Sequence, residues 1–531
     1  MKLLNIKCWV AGLLLTTVFS SCTDMDENLY DEVSADDTEF TVDDLPTIIG
    51  PAYISMRELY WGWEGMLDIY EESSDLIVTP YRVSIGWGDL YLDMHKHSWG
   101  PTINHANNMW VRAYNGITEC NKAIYIIENL EDAGNTDAEI YELRALRAFY
   151  YYLLYDNFRN IPIVKRYDVP DGFIPEQEES ADVYKFVESE LLEAMPYLSE
   201  ENNVETYGRF TTWAAKMTLA KLYLNSSVYI QQARWDDAIK QIDDIIASGK
   251  FDLLPSYADN FAVENENNAE EIFSIPFDSK YSSINTHYPQ KTLYKLSSQT
   301  FNMPEPWGGS CAIPQFIDTY DEEDSRLTDS WLGGLQYTAS DEPLMDGAKQ
   351  FEYTNYLTSV DSAYYWEGYR FVKYEIPVGW SLAPGNDIPM FRYADALMIK
   401  AECLLRKGLS DEAAQLVTRV RERNFKTNPD KAVVTGAQLQ GGSTYQYGEY
   451  LEGKVINPEG GADIQYGRFL DELAWEFVGE HHRKQDLIRF GVYTTKSWLQ
   501  KKPSDPYRII FPIPEPQRNA NPNLVQNPGY N

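Results

Sequence analysis

Two segments of this 531-residue chain set flat aromatic rings among residues too irregular to bury them. Residues 79–89 (TPYRVSIGWGD) place Tyr81, Arg82 and Trp87 in a glycine-containing run between expected helices. Residues 302–310 (NMPEPWGGS) place Trp307 ahead of Gly308 and Gly309, in a run too rich in Pro and Gly for a core helix or strand. Flat apolar faces beside amide, guanidinium and carboxylate groups suit a sugar, whose axial hydrogens stack on rings while its hydroxyls take hydrogen bonds. Trp307, Trp87 and Tyr81 are the candidate stacking residues, with Arg82, Asn302 and Tyr288 as further candidate contacts. The competing reading for each ring is a loop aromatic packed inward.

Other chemistry is judged by placement, because 81 acidic residues guarantee neighbouring carboxylates somewhere. Glu71-Glu72, the 321–324 run and the 264–271 cluster read as solvated faces or turns, not as the convergent pair, about 5–10 Å apart, that glycosidic hydrolysis needs. The sequence holds no GxxxxGK[ST] loop, no GxSxG elbow and no HExxH helix. His95 and His97 would share one face of a strand, and His481-His482 fall in an expected helix. Neither pair has a third ligand in view, so structural roles are expected and no metal site. Residues 318–326 (DTYDEEDSR) lack the central Gly and closing Glu of a calcium loop and read as a structural turn. No cofactor is implied. Cys120, Cys311 and Cys403 are scattered and form no disulfide framework, and Cys120 and Cys403 lie on apolar helical stripes as buried thiols.

The chain's start is equally informative. Lys2 and Lys7 precede an apolar run at 9–19, long enough for a signal core and well short of the ~20 residues that span a bilayer. Ser20, Ser21 and Cys22 follow, an ending that looks like a bacterial lipobox with Phe19 in the usual leucine position. It implies acylation of Cys22 as the first mature residue, against the alternative of ordinary cleavage and a free thiol. Residues 1–21 are then the signal and 22–39 a flexible acidic tether. The net charge of −36 becomes about −38 once Lys2 and Lys7 leave, which argues against nucleic acid and against anionic lipid headgroups.

The elements that must position the rings are mostly helical. Helical periodicity dominates at 104–247 and 391–490, while strand signals are few. Ile140, Leu143, Leu146, Phe149, Tyr150, Leu153 and Leu154 step along one helix face, with Asp137 placed to cap its start. Residues 211–224 and 235–247 read as one antiparallel hairpin, and 398–407 and 411–424, around Gly408, as a second. Ala401 and Ala413 lie twelve apart, with Ala220 and Ala238 as counterparts, the spacing of small residues in tetratricopeptide-like repeats; unrelated hairpins are the alternative. Between the hairpins, 250–390 is rich in Tyr, Trp, Pro, Gly and Asn without a sustained period, and reads as an ordered, functional insertion. Residues 427–465 read as a surface excursion, and the proline-rich tail from 501 as an extended run on the surface.

Four ordered blocks resemble the SusD/RagB family of Bacteroidetes outer-membrane lipoproteins. They are LRALRAFYYYLLYDNFRNIPIV (143–164), YGRFTTWAAKMTLAKLYL (207–224), RFLDELAWEFVGEHHRKQDLIRFG (468–491) and FPIPEPQRNANPNLVQNPGY (511–530). His482 and Gln485 depart from the family's wording and read as structural changes. The resemblance covers essentially the whole chain. It implies a mainly α fold of tetratricopeptide-like hairpins with a loop-rich, aromatic-rich ligand-binding face, divided as 40–249, 250–390 and 391–531. It also implies capture of an oligosaccharide, delivery to a SusC-like TonB-dependent transporter at the cell outer membrane, and no chemistry on the ligand. A peptide-binding member of the same import system and a helical-repeat adaptor are the other readings, with a hydrolase third.

Overall fold

The computed structural model describes residues 40–530 apart from 62–63, 132–133, 282–287 and 381–384. The signal, Cys22 and the tether lie outside the described residues. The helices that carry the argument are α1 (Leu45–Trp61), α2 (Asp89–Lys96), α3 (Asn104–Glu128), α4 (Asp137–Phe158), α5 (Ser180–Ala194), α6 (Thr212–Leu224), α7 (Trp235–Ser248), α8 (Tyr288–Thr292), α9 (Tyr393–Arg406), α10 (Ser410–Arg421), α11 (Gly467–Phe477) and α12 (Arg483–Arg489).

Helix α4 is the axis of the first half. Leu143, Ala145 and every residue from Leu146 to Phe158 are buried, so the helix is covered all round, with α3, α5 and α6 packed against it. Tyrosines can fill this interior because their hydroxyls find partners: Tyr150 donates to the Ala52 carbonyl (2.7 Å) and Tyr151 to that of Val164 (3.0 Å). Gly116 makes room for the Tyr150 ring, since a Cβ there would fall 2.2 Å from Tyr150 Cζ. Asp137 is the first helical residue, not the cap; its backbone N–H goes to Asn135 Oδ1 (3.1 Å).

Helices α6 and α7 form one hairpin, α9 and α10 the second, and α7 lies against α9. Hairpins far apart in sequence are therefore neighbours in space. Ala220, Ala238, Ala401 and Ala413 are all fully buried, as close helix approach requires. The insertion is closed at its base by an antiparallel ribbon, Glu271–Ile275 against Ile388–Arg392, with Ile388 opposite Ile275 and Phe391 opposite Phe273. Within it lie short helices and two-residue strands, of which Cys311–Ala312 pairs with Ile77–Val78 from the first half.

A buried ionic network joins the insertion to the second half. Glu476 of α11 accepts from Arg326 Nη1 (3.1 Å), Arg392 Nη1 (2.8 Å) and Arg423 Nη2 (2.6 Å). Burial alone would raise its pKa, but the three guanidiniums outweigh that and hold the carboxyl well below its usual range. Glu270 pairs with Arg392 and Arg423, Glu472 with Arg326 and Arg421, and Glu480 with Lys373 and Arg392.

Several sequence expectations change in the structure. Glu71 and Glu72 are buried, not solvated, and so are Glu270 and Glu271 at the end of the 264–271 cluster. His95 and His97 end helix α2 and lie on no strand; His97 takes a left-handed conformation (φ 55°) and places Nε2 2.8 Å from the Ser73 carbonyl. The 427–465 excursion has an inner side, where buried Tyr445 and Tyr447 donate to the Asp75 carbonyl and carboxylate (2.9 and 2.7 Å). The tail is no surface strap: Phe511 and Ile513 are fully buried, and Asn527 Nδ2 donates to the carbonyls of Phe158 and Phe511. Apolar side chains along the proline-rich run outweigh its extended backbone. The 318–326 segment is a turn, with Asp324 capping the helix Ser325–Ser330 and holding Arg326. Cys120, Cys311 and Cys403 are free and buried. His482 stacks on Phe477 (4.5 Å, 19°) and Gln485 Nε2 donates to the Tyr152 hydroxyl (3.1 Å), so both family departures are packing residues.

Burial holds His95 neutral, pulling its pKa down to about 3. The unfolded chain, with an ordinary histidine near 6.5, then binds the extra proton as pH falls below that value, and this residue's contribution to stability is progressively lost. Relative to a His95→Phe variant, the wild type is expected to lose roughly 3 kcal/mol of unfolding free energy between pH 7 and pH 4. Urea titrations at the two pH values measure the difference; a constant gap would show that His95 does not resist protonation.

Candidate functional site: an aromatic loop cluster

Residues 79–88 form a tight loop on the insertion. Arg82 N–H donates to the Gly86 carbonyl (2.7 Å), while the N–H groups of Ile85 and Gly86 return to the Arg82 carbonyl. Ser84, Gly86 and Trp87 all have positive φ, so the turn is sharp enough to throw the Trp87 ring across to the second loop. The loop is laced to 360–363 by Tyr81 N–H to the Val360 carbonyl, Ala363 N–H to that of Tyr81, and Val83 N–H to that of Ala363, each 2.9 Å.

The second loop is fastened to α8 and the residue after it. Trp307 N–H donates to the Gln290 carbonyl and Gly308 N–H to that of Leu293, both at 2.7 Å, and Gly309 and Ser310 N–H groups go to Lys291. Trp87 Nε1 donates to the Trp307 carbonyl (3.2 Å) and its ring lies on Gly309, where a Cβ would fall 2.6 Å from Trp87 Cε2. Only glycine permits that approach. Gly308 has φ 68° and sits against Tyr294 and Ile85.

Beneath the rings the ionisable groups are committed inward. Arg82 is fully buried; its Nε donates to the Gly309 carbonyl (2.9 Å) and its Nη1 to those of Tyr364 (2.7 Å) and Glu367 (2.9 Å). One guanidinium thus clamps three main-chain carbonyls in two segments. Burial, with Arg370 nearby, pulls its pKa down to about 10, still charged at neutral pH. Lys291 Nζ lies between Asp68 Oδ1 (2.5 Å) and Glu72 Oε1 (2.7 Å) and 4.0 Å from the Tyr91 ring centroid. Burial works against its charge, yet the two carboxylates outweigh it and raise its pKa. Tyr91 meets Trp87 edge-on at 5.8 Å, linking this cluster to the surface rings.

Of the six residues singled out from sequence, the structure brings Tyr81, Trp87 and Trp307 onto one loop cluster, with Tyr81 44% and Trp307 40% exposed. Asn302 is exposed at the base of the Trp307 loop, in a left-handed conformation (φ 45°) that ends the short helix Ser298–Phe301. Two expectations are corrected. Arg82 cannot contact a ligand, because its guanidinium points into main-chain carbonyls, and Tyr288 is buried, edge-on to Phe371 at 4.8 Å. The sequence reading missed Tyr364 and Trp366, which stack on each other at 4.6 Å and 6°, and Tyr365, which stacks on Tyr294 at 4.3 Å. Their signal was the Tyr364-Tyr365-Trp366 run itself. A separate cleft of about 520 Å³, lined by Leu45, Ile49, Tyr53, Glu139 and Arg209, shares no residue with these loops. Its Tyr53 hydroxyl is bound to Glu142, and it offers no comparable ring platform.

Most carboxylates around the loops are engaged by other groups, and Glu305, exposed in the Trp307 loop, is not shown paired with a second acid. Asp68 and Glu72 hold Lys291, Glu367 accepts from the backbone and hydroxyl of Thr358 (both 2.8 Å), and Asp361 pairs with Lys96 (2.5 Å). Glu71, which burial pushes up to about 8, accepts the His481 N–H in the interior, where no substrate reaches it. Among the described residues no group of three His, Cys, Asp or Glu side chains is arranged to hold a metal ion.

A family model described as the SusD family matches residues 250–530. The chain belongs to the SusD family. A second model, described as "Starch-binding associating with outer membrane", matches residues 31–224, so the two between them span both halves. SusD itself, the starch-binding protein of Bacteroides thetaiotaomicron, is 24% identical over 93% of this chain and 85% of its own. Among solved structures, surface glycan-binding protein A of Bacteroides thetaiotaomicron in complex with laminarihexaose superposes with a TM-score of 0.68 at 21% identity, covering 92% of this chain and all of that one. A SusD superfamily protein of Parabacteroides distasonis reaches a TM-score of 0.72 at 17% identity, over 94% of this chain and all of that one. The helical SusD fold expected from the four blocks is the fold observed.

Removing the clamp tests this geometry. Arg82→Met leaves the buried Gly309 and Glu367 carbonyls without their donor, at about 1–3 kcal/mol each, while the Tyr364 carbonyl keeps the Glu367 N–H. The variant is expected to lose at least about 2 kcal/mol of unfolding free energy with its denaturant m-value unchanged. A stability within 0.5 kcal/mol or so of wild type would mean that the guanidinium does not join the loops.

Proposed function

We propose that this protein captures oligosaccharides on aromatic rings at the cell surface, held there by an acylated Cys22, and delivers them to a SusC-like TonB-dependent transporter without altering them. The observation that carries the reading is the exposed Trp307 ring, whose own backbone and carbonyl are fixed by Gln290 and Trp87. A ring held in place before the ligand arrives costs little ordering on binding, and a sugar face can stack on it directly. The relatives support the same role, one being named a starch-binding protein and another solved with laminarihexaose. The burial and engagement of Asp68, Glu72 and Glu367 beneath the rings favour binding over hydrolysis.

Affinity electrophoresis against a polysaccharide panel tests the reading. At least one glycan is expected to retard the wild type, and Trp307→Ala is expected to weaken that glycan at least tenfold, about 1.4 kcal/mol. Retention of full affinity by Trp307→Ala would remove the ring from the site, and retardation by no glycan would shift the role to peptides. For the anchor, Cys22→Ser is expected to abolish palmitate labelling in cells and release the protein from the membrane fraction. Unchanged labelling would place the lipid elsewhere or nowhere.

A further inference from the structure

We infer that the ligand face selects uncharged oligosaccharides and rejects uronate-bearing or sulfated ones; this rests on the glycan reading above. Anionic sugars are recognised by guanidinium or ammonium groups that reach the ligand, above all by arginine forks that take a carboxylate or sulfate through two parallel bonds. This loop cluster contains arginines, but they face inward. Arg82 is committed to the Gly309, Tyr364 and Glu367 carbonyls. Arg370, also fully buried, donates through Nη1 to the Ser310 carbonyl (3.0 Å) and through Nη2 to that of Tyr365 (2.5 Å). Both forks therefore tie the ring-bearing loops together from below.

The lysines are placed no better for an anion. Lys291 is buried between two carboxylates, and Lys96 is paired with Asp361 at 2.5 Å. The exposed Lys295 lies 5.9 Å from the Tyr294 ring centroid, and Glu305 and Asp346 act electrostatically on that same ring. Glu305 is exposed within the Trp307 loop, and Asp346 accepts the Tyr365 hydroxyl at 2.6 Å. A whole-chain charge of −36 adds a repulsive field for any polyanion approaching from solution. Among the described residues, what these loops leave exposed is ring faces, the Asn302 amide, suited to hydroxyls, the Glu305 carboxylate, and Lys295 and Lys349, the latter opposite Asp346 in its hairpin; no arginine is among them.

The test uses the mature chain and two polysaccharide sets at 20 and 300 mM NaCl: neutral (starch, laminarin, galactomannan, xyloglucan) and anionic (polygalacturonate, alginate, heparin). The expected result is retardation by at least one neutral polymer, lost in Trp307→Ala and changing less than twofold with salt, and none by an anionic polymer at either salt. Trp307-dependent retardation by an anionic polymer, or neutral binding that weakens tenfold with salt, would overturn the charge selection while leaving glycan capture standing. Failure of every polymer, neutral and anionic, would overturn the glycan reading itself and this inference with it.

Discussion

Glu476 is the point on which the architecture turns. A carboxylate in the interior is tolerable only when paired, because the desolvation of a lone charge costs several kcal/mol. Here one carboxylate is met by three arginines drawn from three parts of the chain: Arg326 from the insertion, Arg392 from the ribbon that closes it, and Arg423 from beyond α10. Loss of any partner leaves charge stranded, so an arrangement that separates the insertion from the second helical half is costly. Apolar packing alone is less discriminating, since a core of suitable volume accepts many registers.

That constraint reaches the ring platform through main chain. Lys373 donates to the Glu476 and Val478 carbonyls and to Glu480, fixing the segment that follows the strand Arg370–Phe371. Arg370 in turn holds Ser310 and Tyr365, and Arg82 holds Gly309, Tyr364 and Glu367. Charged donors on carbonyls are stronger than neutral hydrogen bonds and tolerate irregular backbone. Loops with little regular secondary structure thereby acquire the rigidity that a helix would otherwise supply.

How much of this was legible in the sequence follows from which interactions are local. Helices such as α7 and α10, which bury one stripe, announce themselves through side-chain period, and the small residues at 220, 238, 401 and 413 mark where helices approach. The loop placement of Trp87 and Trp307 was legible because Gly and Pro around them deny any regular element a place. Arg82 was misread because its partners lie more than 200 residues away, and nothing in TPYRVSIGWGD distinguishes a surface arginine from a clamp. Glu71-Glu72 looked solvated for the same reason: Lys291, which neutralises Glu72, is contributed by α8. The tail looked superficial because proline signals backbone shape but says nothing of what Phe511 and Ile513 touch.

The same division explains how a shallow face can both capture and release. Deep pockets gain affinity by burying most of a ligand, which slows its departure. Rings fixed by main chain instead lower the ordering cost of binding, so a modest contact area suffices for capture. A polymer offers many equivalent sugars to one such platform. In the proposed role that balance matters more than tightness, because a ligand held too firmly could not pass onward to a transporter.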